Sequence, residues 1–224
     1  DMWLVILLTF LCFYLVAIQP DLGTSLIILL AGILPVIISG FPWIYIFLGA
    51  FLGVLSLPLI WLSLYEYQKQ RVLTLFNPEA DIYGAGWNIV QSKIAVGSGG
   101  LFGKGFLNGS QSQLNFIPES HSDFIFSVIA EEFGLLGVCM LLFIYGILIF
   151  RLLLVAFRST NRFAKIVSGT LSIVLLAYIS INISMVIGIL PVVGMPLPFL
   201  SQGGTALIVN LLTIGIILSL RKEV

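Results

Sequence analysis

The chain has 224 residues, of which 59% are hydrophobic and only 9% are charged, and its mean hydropathy is +1.15. Soluble domains carry about a quarter charged residues, so this composition excludes a water-soluble fold and indicates a membrane-embedded protein. Ten basic and ten acidic residues give a formal net charge of zero, which argues against a nucleic-acid-binding protein. The informative property of the charges is therefore where each one lies.

Six apolar stretches match the about 17 to 25 residues that a transmembrane helix needs, the second being the shortest. They cover residues 2–18, 24–39, 43–64, 124–150, 166–189 and 204–220. Helices are expected because backbone polar groups in lipid must bond within the segment, and the stretches lack the alternation of barrel strands. We predict an all-α polytopic membrane protein in which residues 1–224 form a single membrane domain.

Two groups of basic residues predict the orientation. They follow the fourth stretch and lie in the C-terminal tail: Arg151, Arg158, Arg162 and Lys165, then Arg221 and Lys222. By the positive-inside rule both groups face the cytoplasm, so the C-terminus is predicted to be cytoplasmic. Alternation then places residues 19–23, 65–123 and 190–203 on the outer face.

The outer segment 65–123 holds nine of the twenty charged residues and the single histidine, His121. Connectors of this length without structure are uncommon and usually functional, although a passive solvated connector is the alternative. Within the segment, Trp87, Val90 and Ile94 share one helical face, which predicts an interfacial helix.

A glycine-rich run at residues 97–105 is open to two interpretations. Its spacing matches neither the dinucleotide fingerprint nor the Walker A loop. Its backbone N–H groups, with Lys93 and Lys104, could approach a phosphate. A tight turn without a ligand fits the run equally well.

Acidic residues mark the start of the fourth apolar stretch. Asp123 is either a helix N-cap or a carboxylate at the membrane surface that takes a proton from a hydroxyl. About two turns further, Glu131 and Glu132 interrupt apolar sequence, where an acid faces a cavity or pairs with a base. Helical geometry places Glu131 nearer to the face of Asp123.

The outer segment after the fifth stretch breaks helical structure without adding charge. Residues 190–204 contain three prolines and three glycines and no charged residue. Such sequence at a membrane end predicts a re-entrant loop that lines a cavity, with an ordinary apolar loop as the alternative.

Several of these motifs occur in one order through nearly the whole chain: residues 19–25, 91–100, 103–105, 111–113, 118–126, 130–132, 188–194 and 201–204. Together they resemble the SEDS family (shape, elongation, division and sporulation), and most its elongation branch. The resemblance implies a ten-helix protein of the bacterial cytoplasmic membrane, of which this chain would supply the last six helices. It also implies a peptidoglycan glycosyltransferase that polymerises lipid II outside the membrane. Its implied partners are a class B penicillin-binding protein and other membrane proteins of the elongation complex.

The resemblance also assigns roles to residues. The essential acid of the family, in a Pro-Glu-x-x-x-Asp-Phe motif, corresponds to Asp123, which we expect to be the catalytic base. We expect seven further residues to bind substrate: Lys93, Lys104, Arg71, Glu119, His121, Glu131 and Gln202. No residue is assigned as a metal ligand and no cofactor is certain, although Mg²⁺ or Mn²⁺ would stabilise a pyrophosphate leaving group.

The sequence lacks one motif of the family pattern. The family's Gln-Pro-Ser-Glu stretch and the Lys that follows it have no counterpart in this sequence, so we expect a fragment that is not a complete enzyme by itself. Two rival functions are a lipid II flippase or other transporter, and a non-catalytic scaffold of the elongation complex. A transporter would place acids and helix breaks at mid-membrane in paired repeats, whereas a scaffold would tolerate loss of Asp123.

Overall fold

The computed structural model describes residues 2–19, 21–78, 81, 84–114, 116–118 and 120–221. Within these ranges the regular structure is helical, and we number the helices α1 to α9. Their bounds are α1 Met2–Ile18, α2 Leu22–Ile38, α3 Trp43–Ser63, α4 Glu66–Phe76, α5 Ala85–Ser98, α6 Ser110–Gln113, α7 Ile125–Arg158, α8 Arg162–Val186 and α9 Gly204–Leu220. The predicted all-α membrane fold is confirmed.

Each of the six predicted apolar stretches corresponds to one of these helices, namely α1, α2, α3, α7, α8 and α9. By length and composition, α3, α7 and α8 are able to cross a membrane, while α1, α2 and α9 are shorter apolar helices of 17 residues. The number of transmembrane spans therefore stays a prediction. The helix α3 buries none of its 21 residues, which leaves its apolar surface open to lipid or to further protein.

The basic connection after the fourth stretch is shorter than predicted. The helix α7 continues to Arg158 and α8 begins at Arg162, so Arg151 lies inside α7 rather than in a loop. Arginine is a good helix former, and its long side chain reaches the membrane surface from within a helix. Helical structure therefore continues where the hydropathy falls.

The core lies between α5, α7, α8 and α9. Its fully buried members include Phe124 at the start of α7, Met185 in α8 and Ile217 in α9. The Tyr145 hydroxyl of α7 donates to the carbonyl of Pro198, which ties the segment between α8 and α9 into this core. The packed helices thus fix the start of α7 and the segment between α8 and α9, where several site residues lie.

The outer segment contains the predicted helix as α5, but a different side of it packs against the protein. Ile89, Ser92 and Ala95 are fully buried, whereas Trp87 and Ile94 are exposed. The Ser92 hydroxyl donates to the Val186 carbonyl at the end of α8, a distance of 2.9 Å. The side of α5 that carries Ile89, Ser92 and Ala95 therefore faces the bundle, and the side that carries Trp87 and Ile94 is exposed.

Candidate functional site

The connection between α8 and α9, residues 187–203, packs against the start of α7, and we call it the α8–α9 loop. Three consecutive carbonyl groups just before α7 each accept a hydrogen bond from this loop or from α8. The pairs are Gln202 N to His121 O at 2.9 Å, Ser201 Oγ to Ser122 O at 2.6 Å, and Asn182 Nδ2 to Asp123 O at 2.8 Å. Two segments more than 60 residues apart in sequence therefore form one unit, as expected for a loop that lines a site.

Asn182 holds this unit together from inside α8. It is fully buried, and its Nδ2 also donates to the Met195 carbonyl at 2.6 Å, so one amide joins Asp123 to the α8–α9 loop. Sequence reasoning did not identify Asn182. The signal was present, because an amide within an apolar helix has to find partners from neighbouring segments.

The carboxylate of Asp123 is half-buried and lies beside Gly194 of the loop. A Cβ atom placed on Gly194 would lie 3.5 Å from Asp123 Oδ2, and Gly194 has a φ of +69°. Glycine is therefore favoured there by its backbone conformation, while an added Cβ would make an ordinary van der Waals contact with the carboxylate. The N-cap position of α7 is occupied by Phe124, without a side-chain cap bond, so the interpretation of Asp123 as the N-cap is wrong.

A cavity of about 260 Å³ opens on the other side of Gly194. Its polar lining comes from three helices, with Thr24 of α2, Tyr178 of α8, and Thr205 and Asn210 of α9. Gly194 lines the cavity and also lies beside Asp123 Oδ2, whereas Asp123 is not among the described residues that line it. The rest of the cavity wall is mainly apolar, with these hydroxyl and amide groups as its polar part.

Two of the predicted cationic residues contact the same loop. Arg71 of α4 lines a small pocket of about 30 Å³ together with Val192 and Val193. The side chain of Lys93 in α5 lies over Gly188, where an added Cβ would be 2.5 Å from Lys93 Nζ. Both side chains are exposed, so the loop places positive charge on the same structural unit as Asp123.

The other predicted residues are placed as follows. His121 and Gln202 lie next to each other because Gln202 N donates to His121 O, and both of their side chains are exposed. Glu119 lies outside the described residues. The α8–α9 loop thus contains Gln202 and contacts Arg71, Lys93, His121 and Asp123. The roles of the first four of these residues in substrate binding stay predictions.

The glycine-rich run at residues 97–105 is held against α7 by backbone hydrogen bonds. Within α7, Gly134 is non-helical, with φ 65° and ψ −162°. The run exchanges backbone hydrogen bonds with α7 on both sides of this break: Lys104 N to Glu131 O, Gly105 N to Glu132 O, Leu135 N to Gly100 O and Leu136 N to Leu101 O, at 2.9–3.1 Å. The backbone N–H groups of residues 103–105 are thus occupied within the protein, since Gly103 N also bonds to Gly99 O. These three N–H groups therefore do not offer themselves to a phosphate, as the phosphate interpretation had required.

Glu131 and Lys104 form an ion pair at this junction. The Glu131 carboxylate is fully buried and accepts from Lys104 Nζ at 2.7 Å, from Ser110 Oγ at 3.2 Å and from Gln111 N at 3.1 Å. Of the two alternatives for Glu131, pairing with a base is the one that the structure shows. This cluster lies about two helical turns along the chain from Asp123, so the predicted binding residues fall into two groups.

A divalent cation has no evident ligand set in the described part of the chain. Among the residues that the structure describes, no group of three or more His, Cys, Asp or Glu side chains is placed to hold a metal ion.

These features define a class of protein: a multi-pass helical membrane protein with a charged site held between a long outer segment and a helix-breaking loop. The family model described as "Cell cycle protein", which covers FtsW, RodA and SpoVE, matches residues 1–224. The chain belongs to this family, which confirms the resemblance to SEDS proteins.

Curated relatives share the whole of this region. The peptidoglycan glycosyltransferase MrdB of Escherichia coli (strain K12) is 49% identical over 219 residues, which are 97% of this chain and 59% of MrdB. Stage V sporulation protein E of Bacillus subtilis (strain 168) is 33% identical over 222 residues, 96% of this chain and 58% of that protein. The chain therefore spans less than two thirds of the length of these relatives.

Solved structures show the same fold. A chain of a peptidoglycan synthase complex, studied for the coordination of polymerization and crosslinking, superposes with a TM-score of 0.82 at 31% identity, covering 100% of this chain and 62% of that chain. The rod shape determining protein RodA of Thermus thermophilus superposes with a TM-score of 0.63 at 28% identity. The match covers 98% of this chain and 56% of the RodA chain.

Proposed function

We propose that the protein to which this chain belongs is a peptidoglycan glycosyltransferase that polymerises lipid II at the outer face of the bacterial cytoplasmic membrane during cell elongation. The observation that carries the proposal is the half-buried Asp123 carboxylate beside Gly194, on backbone that three hydrogen bonds hold to α8 and the α8–α9 loop. The name of MrdB supports the reaction class.

The proposed reaction moves a glycosyl group from a lipid pyrophosphate to a sugar hydroxyl. Asp123 takes the proton of the acceptor hydroxyl while the acceptor oxygen attacks the anomeric carbon of the donor, with inversion. The bond between that carbon and the pyrophosphate oxygen breaks, and its electron pair leaves with the lipid pyrophosphate. A positioned base of this kind contributes a rate factor of about 10² to 10⁴.

Positive charge near Asp123 would stabilise the departing pyrophosphate. Lys93 and Arg71 are the best placed cations, because both contact the α8–α9 loop that also carries Gly194. Cations fixed before the reaction lower the energy of developing negative charge without reorganising. Lys104 is less available for this task, since its ammonium group binds Glu131 and Ser110.

The orientation and the partner belong to the same proposal. Arg151 follows Glu131 by 20 residues of α7, which is about 30 Å along the helix and about the thickness of the hydrocarbon core. The basic end of the bundle is therefore assigned to the cytoplasm and the Asp123 end to the outside. A class B penicillin-binding protein is the proposed partner, supported by the synthase complex in which the similar chain lies. Other membrane proteins of the elongation complex are further proposed partners.

The test uses the full-length protein with its partner in detergent, given labelled lipid II. We expect Asp123→Asn to lower the rate of glycan-chain formation at least about a hundredfold while protein abundance stays unchanged. Glu66→Gln is the matched control, because Glu66 lies on the same outer segment but is exposed and pairs with Lys69 in its own helix. It should retain full activity.

Two outcomes would contradict the proposal. Normal polymer from Asp123→Asn would remove Asp123 as the base. No polymer from the wild-type complex would contradict the glycosyltransferase itself and favour the flippase or the scaffold. Detergent makes the assay selective, since flipping requires an intact membrane and polymerisation does not.

A further inference from the structure

A second charged pocket lies at the opposite end of the bundle from Asp123. Arg151 and Arg158 of α7 and Arg221 at the end of α9 line a pocket of about 150 Å³. Arg151 and Arg158 are seven residues apart, two turns of helix, and therefore lie on one face of α7. The remaining walls are apolar, formed by leucine and valine side chains of the same two helices.

The composition of this pocket indicates an anionic ligand. None of the described residues that line it is acidic, and all three arginines are exposed. A guanidinium group presents paired N–H donors that match two oxygens of a phosphate, and arginine is favoured wherever phosphate is bound in this way. Three such groups around one cavity form a phosphate site rather than a uniformly basic surface.

General rules for basic residues explain part of this arrangement but not all of it. The positive-inside rule accounts for the sign of the charge at this membrane end, and the helix dipole accounts for one cation at the end of α9. Neither rule requires cations from two different helices to line the same cavity. Arg162 and Lys165 show the difference, since they carry charge at the same end without lining the pocket.

The position of the pocket selects the source of the phosphate. It lies about 30 Å along α7 from Glu131, so it falls at the level of the lipid headgroups when the apolar part of α7 spans the bilayer. Basic pockets between transmembrane helices on the cytoplasmic side bind anionic headgroups. A free phosphate would not use apolar walls, whereas a phospholipid would lay its glycerol and first acyl carbons against them.

We propose that Arg151, Arg158 and Arg221 bind the headgroup phosphate of an anionic phospholipid in the cytoplasmic leaflet. This inference rests on the proposed orientation and not on the glycosyltransferase activity. The bound lipid would join the ends of α7 and α9, the helices that carry Asp123 and the cavity residues Thr205 and Asn210 at their other ends.

The test is native mass spectrometry of the full-length protein in detergent, titrated with phosphatidylglycerol and, separately, with phosphatidylcholine. We expect the wild type to retain phosphatidylglycerol in preference to phosphatidylcholine. The affinity for phosphatidylglycerol should fall roughly fivefold for each arginine replaced by glutamine, in Arg158→Gln and then in the triple variant with Arg151→Gln and Arg221→Gln. Arg162→Gln is the matched control and should bind as the wild type does.

Three results would overturn the proposal. They are equal retention of the two lipids by the wild type, unchanged binding of phosphatidylglycerol by Arg158→Gln, and an equal loss in Arg162→Gln. Displacement of the lipid by millimolar inorganic phosphate would assign the pocket to a soluble anion instead. Since Arg158→Gln changes one exposed side chain near the end of α7, it keeps the test decisive if the triple variant fails to fold.

Discussion

Replacing Lys104 by methionine tests the junction between the glycine-rich run and α7. The substitution keeps a long aliphatic side chain but removes the ammonium group that lies 2.7 Å from Glu131 Oε1. The Glu131 carboxylate would remain fully buried, with only the Ser110 hydroxyl and the Gln111 amide among the donors described above. A buried charge that has lost its counter-ion is far less stable than the pair.

The expected loss in the free energy of unfolding is about 3 kcal/mol. Removing one partner of a buried ion pair costs about 3–5 kcal/mol, and the lower end applies because the Lys104 side chain is 30% exposed and water screens part of the interaction. Adding Glu131→Gln to the variant removes the buried negative charge. The double variant should therefore recover about 1–2 kcal/mol relative to Lys104→Met.

The measurement is reversible unfolding of the full-length protein in mixed micelles, followed by tryptophan fluorescence. Lys69→Met is the matched control, since it breaks the exposed Lys69–Glu66 pair at 3.1 Å, in which the glutamate side chain is 85% exposed. Such surface pairs contribute below about 1 kcal/mol. Equal losses in Lys104→Met and Lys69→Met, or no recovery on adding Glu131→Gln, would refute the reasoning.

Two further predictions concern the unit around Asp123. Asn182→Leu removes the amide that donates to Asp123 O and Met195 O, so kcat for lipid II polymerisation should fall about tenfold with KM unchanged. Thr170→Val, which removes a buried hydroxyl of α8 without a hydrogen-bond partner among the described residues, should change neither constant; equal effects of the two variants would contradict a positioning role. Gly194→Ala places a methyl group 3.5 Å from Asp123 Oδ2 at a φ of +69°, so stability should fall by about 1 kcal/mol and kcat should decrease. Full kcat in Gly194→Ala would show that the function of the Asp123 carboxylate does not depend on its contact with Gly194.

Hydropathy was sufficient to locate the helices because lipid leaves the backbone few alternatives. The predicted stretches 2–18 and 204–220 coincide with α1 and α9, and 43–64 differs from α3 by one residue. Such agreement follows from a local property, since an apolar segment in a membrane has to satisfy its hydrogen bonds within itself. Where hydropathy declined gradually, as near Arg151, the prediction ended α7 too early.

The break in α7 was beyond a local reading of the sequence. Gly134, Gly137 and Gly146 all lie in the same helix, and although Gly134 closely follows Glu131 and Glu132, the sequence around it does not specify non-helical backbone. Only Gly134 is non-helical, because the incoming run at residues 97–105 supplies replacement hydrogen bonds on both sides of it. The position of such a break depends on a segment about 30 residues away in sequence, which periodicity within one helix does not report.

In the candidate site as well, the sequence indicated individual residues but not the contacts that bring them together. The charges of the outer segment and the prolines of residues 190–204 were singled out one by one, and Asp123 was chosen from a motif. What composition did not supply was their assembly by Asn182, a neutral residue in a helix that was assigned only a spanning role. Its buried amide costs free energy unless both N–H groups find acceptors, and in this fold the acceptors are the carbonyls of Asp123 and Met195. The requirement to satisfy the N–H groups of this buried amide therefore brings Asp123 and the α8–α9 loop to the same place.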